Sequence, residues 1–256
     1  MIIILFSHIL SDYYFQSDKI AKNKGTNIKY MFLHMIPILV TNLLLIFFFF
    51  GFTEIYIGFW LTLIHLVIDI ITSGLIRIRL SKNKFINHML DQSLHVFSML
   101  LIYLIILKDV HYSAWFNRIL EINIFTSYGV QYLVVLTACL FLLKPVRILI
   151  DDLLEVTVGN FENAQELKKS YYLGYIERLI TFFTVATFNY LFISALIGFK
   201  TWAQSEKLKK NENDFSKRYL IGTLASLLSS IIIAIIMLWY FQKIEFPLLK
   251  IEWIRN

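Results

Sequence analysis

Charge is scarce in this chain, and so are the residues that punctuate soluble folds. Of its 256 residues only 16% are Asp, Glu, Lys or Arg, while 58% are hydrophobic, and there are nine glycines and three prolines. A mean hydropathy of +0.66 excludes an ordinary water-soluble domain and points to an integral membrane protein. The single cysteine, Cys139, excludes an intrachain disulfide and reads as a packing residue in an apolar run. No repeat, low-complexity tract or Gly/Pro-rich stretch marks a linker. One integral-membrane domain is therefore expected over 1–256, with 1–107 as one half and 128–256 as a second helical half. The formal charge of +6 comes from basic clusters beside apolar runs, which suits anionic headgroups of a lipid bilayer. No nucleic-acid motif accompanies it, so nucleic acid is not an expected partner.

What is present is a series of apolar runs at about 31–50, 55–76, 94–107, 128–143, 179–199 and 219–241, after a shorter run at 2–15. The first lacks a basic leader and a small-residue cleavage site, so it reads as a retained helix. The expected fold is all-α, a polytopic membrane helix bundle of about seven transmembrane or re-entrant helices.

Three polar pairs interrupt these runs: His8/Asp12, His65/Asp69 and Asp91/His95. A spacing of four is about one helical turn, so each pair shares a helix face. Ionisable groups are costly within a membrane, and three such pairs call for a purpose such as metal binding, proton handling or catalysis. Lys19, Lys22, Lys24 and Lys29 fill the first connection and Arg77, Arg79, Lys82 and Lys84 a later one, whereas the intervening turn at 51–54 has no basic residue. By the positive-inside rule both basic loops are cytoplasmic. At ~1.5 Å per residue Asp12 lies ~10 Å from Lys19 and Asp69 ~12 Å from Arg77, and each histidine lies one turn, ~6 Å, deeper. The order reverses to Asp-His on the helix whose direction reverses, so two layers result: Asp12, Asp69 and Asp91 outward, His8, His65 and His95 inward.

Those six residues are the candidate metal ligands, with the aspartates as candidate catalytic groups. Gln16, His34 and Gln92 flank them as extra ligands or outer partners; His88 and His111 lie outside the pattern. Mixed imidazole and carboxylate donors suit a transition metal such as zinc, manganese or iron, as one or two ions. In the second half, Glu177 and Arg178 read as an interfacial ion pair or a gate, and Lys200 with Arg178 as anion contacts. Asp151, Asp152 and Glu155 read as a solvated helix face, and Gly222, Thr223 and Ser226 as a close helix contact. Basic residues at both ends of 179–199 conflict with a single crossing, so that run is either re-entrant or preceded by an uncounted half-crossing.

The segments LFSHILSDYYFQ, FLHMI around His34, HLVID at 65–69 and DQSLH at 91–95, with LGYIERLI at 173–180, GFK at 198–200 and YLIGTLAS at 219–226, resemble a bacterial integral-membrane family known as domain of unknown function thirty-three oh seven. Thr72 stands where that pattern often has a lysine, and Arg218 where it often has an acidic residue. The resemblance implies a membrane protein and groups these residues, but implies no reaction. A looser similarity of ligand type links the pattern to membrane-bound metal-dependent hydrolases. The expected function is a metal-dependent hydrolase acting on a lipid-linked or amphiphilic substrate in the bacterial cytoplasmic (inner) membrane. The alternatives are a divalent-cation or proton transporter and a non-enzymatic scaffold or sensor.

Overall fold

A computed structural model describes residues 1–77, 83–120, 129–159, 164–209 and 213–243. Every regular element among them is helical, and they form two compact units, 1–133 and 134–256. The all-α expectation holds. Five helices are long and apolar enough to cross a membrane, at Ile28–Phe50, Phe52–Gly74, Lys84–Ile105, Gly129–Val158 and Asp214–Gln242. Ile2–Tyr14 and Leu191–Ala203 are shorter apolar helices. The basic residues Arg79, Lys82 and Lys210 lie outside the described residues.

In the first unit, α1 (Ile2–Ile9) runs into a π turn (Leu10–Tyr14), followed by the short α2 (Asp18–Asn23), then α3 (Ile28–Phe50), α4 (Ile55–Arg77), α5 (Lys84–Ile105) and α6 (Ala114–Leu120). Ser17 starts α2 by accepting from the Ile20 N–H, and Asn27 starts α3 by accepting from the Lys29 N–H at 2.9 Å. Gly51, at φ 96°, ends α3 in a conformation glycine tolerates and side chains resist. The next helix then crosses α3 closely at Gly58, where a Cβ would meet the Asn42 backbone at 3.3 Å and the Leu43 side chain at 3.0 Å. At one end Ile4, Ile46, Ile57, Leu61, Met99, Ile102 and Leu107 form an apolar cluster. Burying such side chains is worth roughly 1.5–3 kcal/mol each when they leave water, and between membrane helices the gain is close packing.

The second unit contains most of α7 (Gly129–Val158), then α8 (Ala164–Ala186), α9 (Leu191–Ala203), α10 (Ser205–Lys209) and α11 (Asn213–Lys243), with α8 packed along α11. Ser226 and Ser230 of α11 are buried. The apolar run at 179–199 is not one helix: α8 stops at Ala186 and α9 begins at Leu191. The break has a local cause. Thr184 and Thr187 turn their hydroxyls back onto the carbonyls of Ile180 and Phe183 at 2.6 and 2.8 Å, a pattern that bends helices. Asn189 closes the turn through its amide to Thr187, and Phe188 takes φ 60°. At 13 residues α9 is about 20 Å long, too short to cross a ~30 Å core as a straight helix.

Candidate metal centre

The π turn carries Asp12, and the Phe15 N–H reaches the Leu10 carbonyl at 2.9 Å to close it. Such turns shift the side chains that follow relative to a regular helix. Ser11 donates to the carbonyls of Ser7 and His8 at 2.9 and 3.2 Å, and the Gln16 amide bridges the Asp12 carbonyl (2.8 Å) and the Ala21 N–H (3.0 Å). Gln16 therefore acts on the backbone beneath Asp12, outside the cluster of ligand atoms.

Helices α1, α3 and α4 bring imidazoles to that carboxylate, and α5 joins the cluster through Asp69. His34 Nε2 of α3 lies 3.3 Å from Asp12 Oδ1 and 3.0 Å from Asp69 Oδ2. His65 Nε2 of α4 lies 3.3 and 3.5 Å from the same two oxygens, and the two imidazole nitrogens are 3.4 Å apart. His34 and Asp69 are essentially inaccessible, at 0% and 1% exposure. His8 Nε2 sits 3.9 Å from Asp12 Oδ2 and 3.2 Å from Gln92 Oε1. On α5, His95 Nδ1 donates to the Asp91 carbonyl at 2.9 Å, leaving Nε2 4.0 Å from Asp69 Oδ1. Thr72 donates to Asp91 Oδ1 at 2.7 Å and the Gln92 amide to Oδ2 at 3.0 Å.

The rings of His8, His65 and His95 touch one another, with centroids 4.2–5.4 Å apart. They line a small cavity together with Ser11, Asn42, Ser98 and the apolar Ile4, Ile38 and Leu61. Below it Ser7 donates to Asn42 at 2.6 Å and Asn42 to Thr62 at 3.1 Å, joining α1, α3 and α4. The carboxylates do not line this cavity. Their side of the cluster holds Lys24, which donates to Asp69 Oδ1 at 3.0 Å and to His34 Nε2 at 3.1 Å. Burial opposes the Lys24 charge, but Asp12, Asp69 and Asp91 outweigh it and hold the ammonium above the usual lysine range. The Lys24 and Asp91 side chains, 19% and 17% exposed, mark the open side.

Lys24 reads from sequence only as loop charge, and Thr72 only as a departure from a family pattern. Ser7 and Asn42 carried a weak signal as lone polar residues in apolar runs. His88 lies apart from the centre, with the Tyr13 hydroxyl at 3.1 Å.

The second unit treats its charges differently. Glu177 and Arg178 do not pair with each other: Lys200 Nζ reaches Glu177 Oε2 at 2.6 Å, while Arg178 donates to the carbonyls of Leu142 and Leu143 at 2.6 and 3.2 Å. Those carbonyls lie in the turn before Pro145, whose missing N–H and ring disturb the helical ladder. A Cβ at Gly174 would come within 3.3 Å of the Arg178 guanidinium. Asp151 is 3.9 Å from Arg147, whose guanidinium also lies over the Tyr171 ring.

Three overlapping triads, His8/Asp12/His65, His34/His65/Asp69 and Asp69/Asp91/His95, each offer ligand atoms within 4.8 Å of one another. Despite burial, Asp12 Oδ1, Asp69 Oδ2 and His95 Nε2 have no hydrogen-bond partner. This is an all-α, membrane-type protein with a buried His/Asp cluster able to hold a metal ion. Residues 1–123 match the family described as protein of unknown function (DUF3307), so the resemblance carried by LFSHILSDYYFQ, HLVID and DQSLH holds there. The match includes every residue of the cluster and ends before the 173–180, 198–200 and 219–226 segments. No curated protein and no solved structure matches the chain.

Proposed function

We propose that the first unit is an intramembrane metal centre that hydrolyses an ester or phosphoester bond of an amphiphilic or lipid-linked substrate at the cytoplasmic leaflet. One observation carries it. The atoms His34 Nε2, His65 Nε2, Asp12 Oδ1 and Asp69 Oδ2 are separated, over five measured pairs, by 3.0–3.5 Å. Two ligand atoms at the ~2.0–2.1 Å bond lengths of zinc and a tetrahedral angle stand about 3.3 Å apart, close to each of these five separations. Two carboxylate oxygens facing the same pair of nitrogens repel, a cost that a cation between them offsets. The bound ion would serve as the Lewis acid. Asp12, with Oδ2 turned toward His8, is the best-placed carboxylate to take a proton from the attacking water; the leaving group takes one in turn.

Access also favours hydrolysis over transport. The cluster opens beside Lys24 and Asp91, near α2 with its Lys19 and Lys22, whereas the other end, on the histidine side, is lined mainly by the apolar Ile4, Ile38, Leu61, Met99 and Ile102. A conducting path needs polar groups through that end. The test is elemental analysis of detergent-purified protein together with turnover of amphiphilic ester and phosphoester probes. The reading expects about one tightly held transition-metal ion per chain, and turnover lost in Asp12→Asn. Metal-free wild-type protein after purification from metal-supplemented medium overturns it.

A further inference from the structure

We infer that the cluster contains a second cation position, bounded by His95 Nε2, Asp69 Oδ1 and the Asp91 carboxylate, at which the Lys24 ammonium and a second divalent ion exclude one another. The inference deepens the metal-centre reading above and rests on it.

His95 supplies the first argument. Its Nδ1 donates to the Asp91 carbonyl, which fixes the tautomer and leaves a lone pair on Nε2. Metal-bound histidines are held in this way, through the nitrogen that does not bind the ion. That Nε2 is in a residue 2% exposed, has no partner, and stands 4.0 Å from Asp69 Oδ1. An ion with bonds of about 2.0–2.2 Å fits between two such atoms. Asp91, the third side, offers with Asp69 and His95 ligand atoms within 4.8 Å of one another; Thr72 orients one of its oxygens and Gln92 the other, and each keeps a free lone pair.

Asp69 supplies the second argument, because its two oxygens face different partners. Oδ2 faces His34 and His65, while Oδ1 faces His95 and accepts from Lys24. A carboxylate disposed like this can bridge two cations, and the one now at Oδ1 is the ammonium. Charge makes the two occupants alternatives. Asp12, Asp69 and Asp91 are balanced by one divalent ion and Lys24, whereas two divalent ions and Lys24 overload them. Lys24 is partly exposed and follows α2, a helix with no buried residue, so it can withdraw without disturbing the core.

The test is manganese binding to the full chain in detergent, read as ions per chain and by electron paramagnetic resonance, which distinguishes isolated from carboxylate-bridged ions. Wild type is expected to bind one ion tightly and a second more weakly, with a coupled spectrum at saturation. Lys24→Met is expected to tighten the second ion about tenfold, and His95→Gln to bind one ion with an uncoupled spectrum. Asp91→Asn serves the same purpose if His95→Gln does not fold. One uncoupled ion in wild type and Lys24→Met alike overturns the second position and leaves the first reading standing. Loss of both ions in folded His95→Gln overturns it as well. No bound ion in wild type overturns both readings.

Discussion

The two units bury charge in opposite ways. In the second, each buried charge meets a complementary group: Lys200 meets Glu177, and Arg178 meets two backbone carbonyls. In the first, three aspartates are set against the single ammonium of Lys24, and two of their oxygens have no hydrogen-bond partner. A structural polar core is expected to be self-compensated, because an unsatisfied buried group costs ~1–3 kcal/mol or more. By charge the second unit fits that description, although Arg147 Nε and Glu177 Oε1 there also have no hydrogen-bond partner. The first does not: its three carboxylates outnumber the one ammonium, a deficit that the proposed divalent cation would supply.

Substitutions can break or sharpen this contrast. The largest expected effect is from Asp69→Asn, which removes a ligand and reduces metal affinity by at least ~100-fold, measured by competition with a chelator. Helical content should be retained, since neutralising a surplus carboxylate relieves repulsion. Next, Arg178→Met should lower stability by about 3–5 kcal/mol, measured as a drop in the detergent unfolding midpoint, while metal content stays unchanged. Unchanged stability there would remove the structural reading of the second unit. Lys200→Met should cost about 2–3 kcal/mol by stranding Glu177, and Glu177→Gln added to it should recover most of the loss in a double-mutant cycle. The smallest effect is expected from Ser17→Ala, about 1 kcal/mol of local stability, read as faster amide exchange over α2 at an unchanged global unfolding midpoint.

The sequence made the helices legible because long apolar runs and basic loops are strong signals; α3 and α4 lie where they imply, while α5 begins at Lys84, ten residues ahead of its apolar run. The His/Asp spacing likewise grouped His8, His65 and His95, whose rings touch. Three features were not legible. The π turn at Asp12 leaves no mark in hydrophobic periodicity, because one extra residue per turn is a local backbone event. Lys24 counted as loop charge, and only the docking of α2 beside α3 brings it to Asp69. The break at 187–190 lay inside an apolar run whose charge conflict hinted at it, but its cause is threonine back-bonding, which hydropathy does not register.

X-ray absorption at the edge of the bound metal tests the central claim most directly. The four-ligand centre predicts a first shell of nitrogen and oxygen at about 2.0–2.1 Å with multiple scattering from two imidazoles, lost in a His34→Ala/His65→Ala double variant. A shell without imidazole scattering, or one unchanged by that double variant, would contradict it.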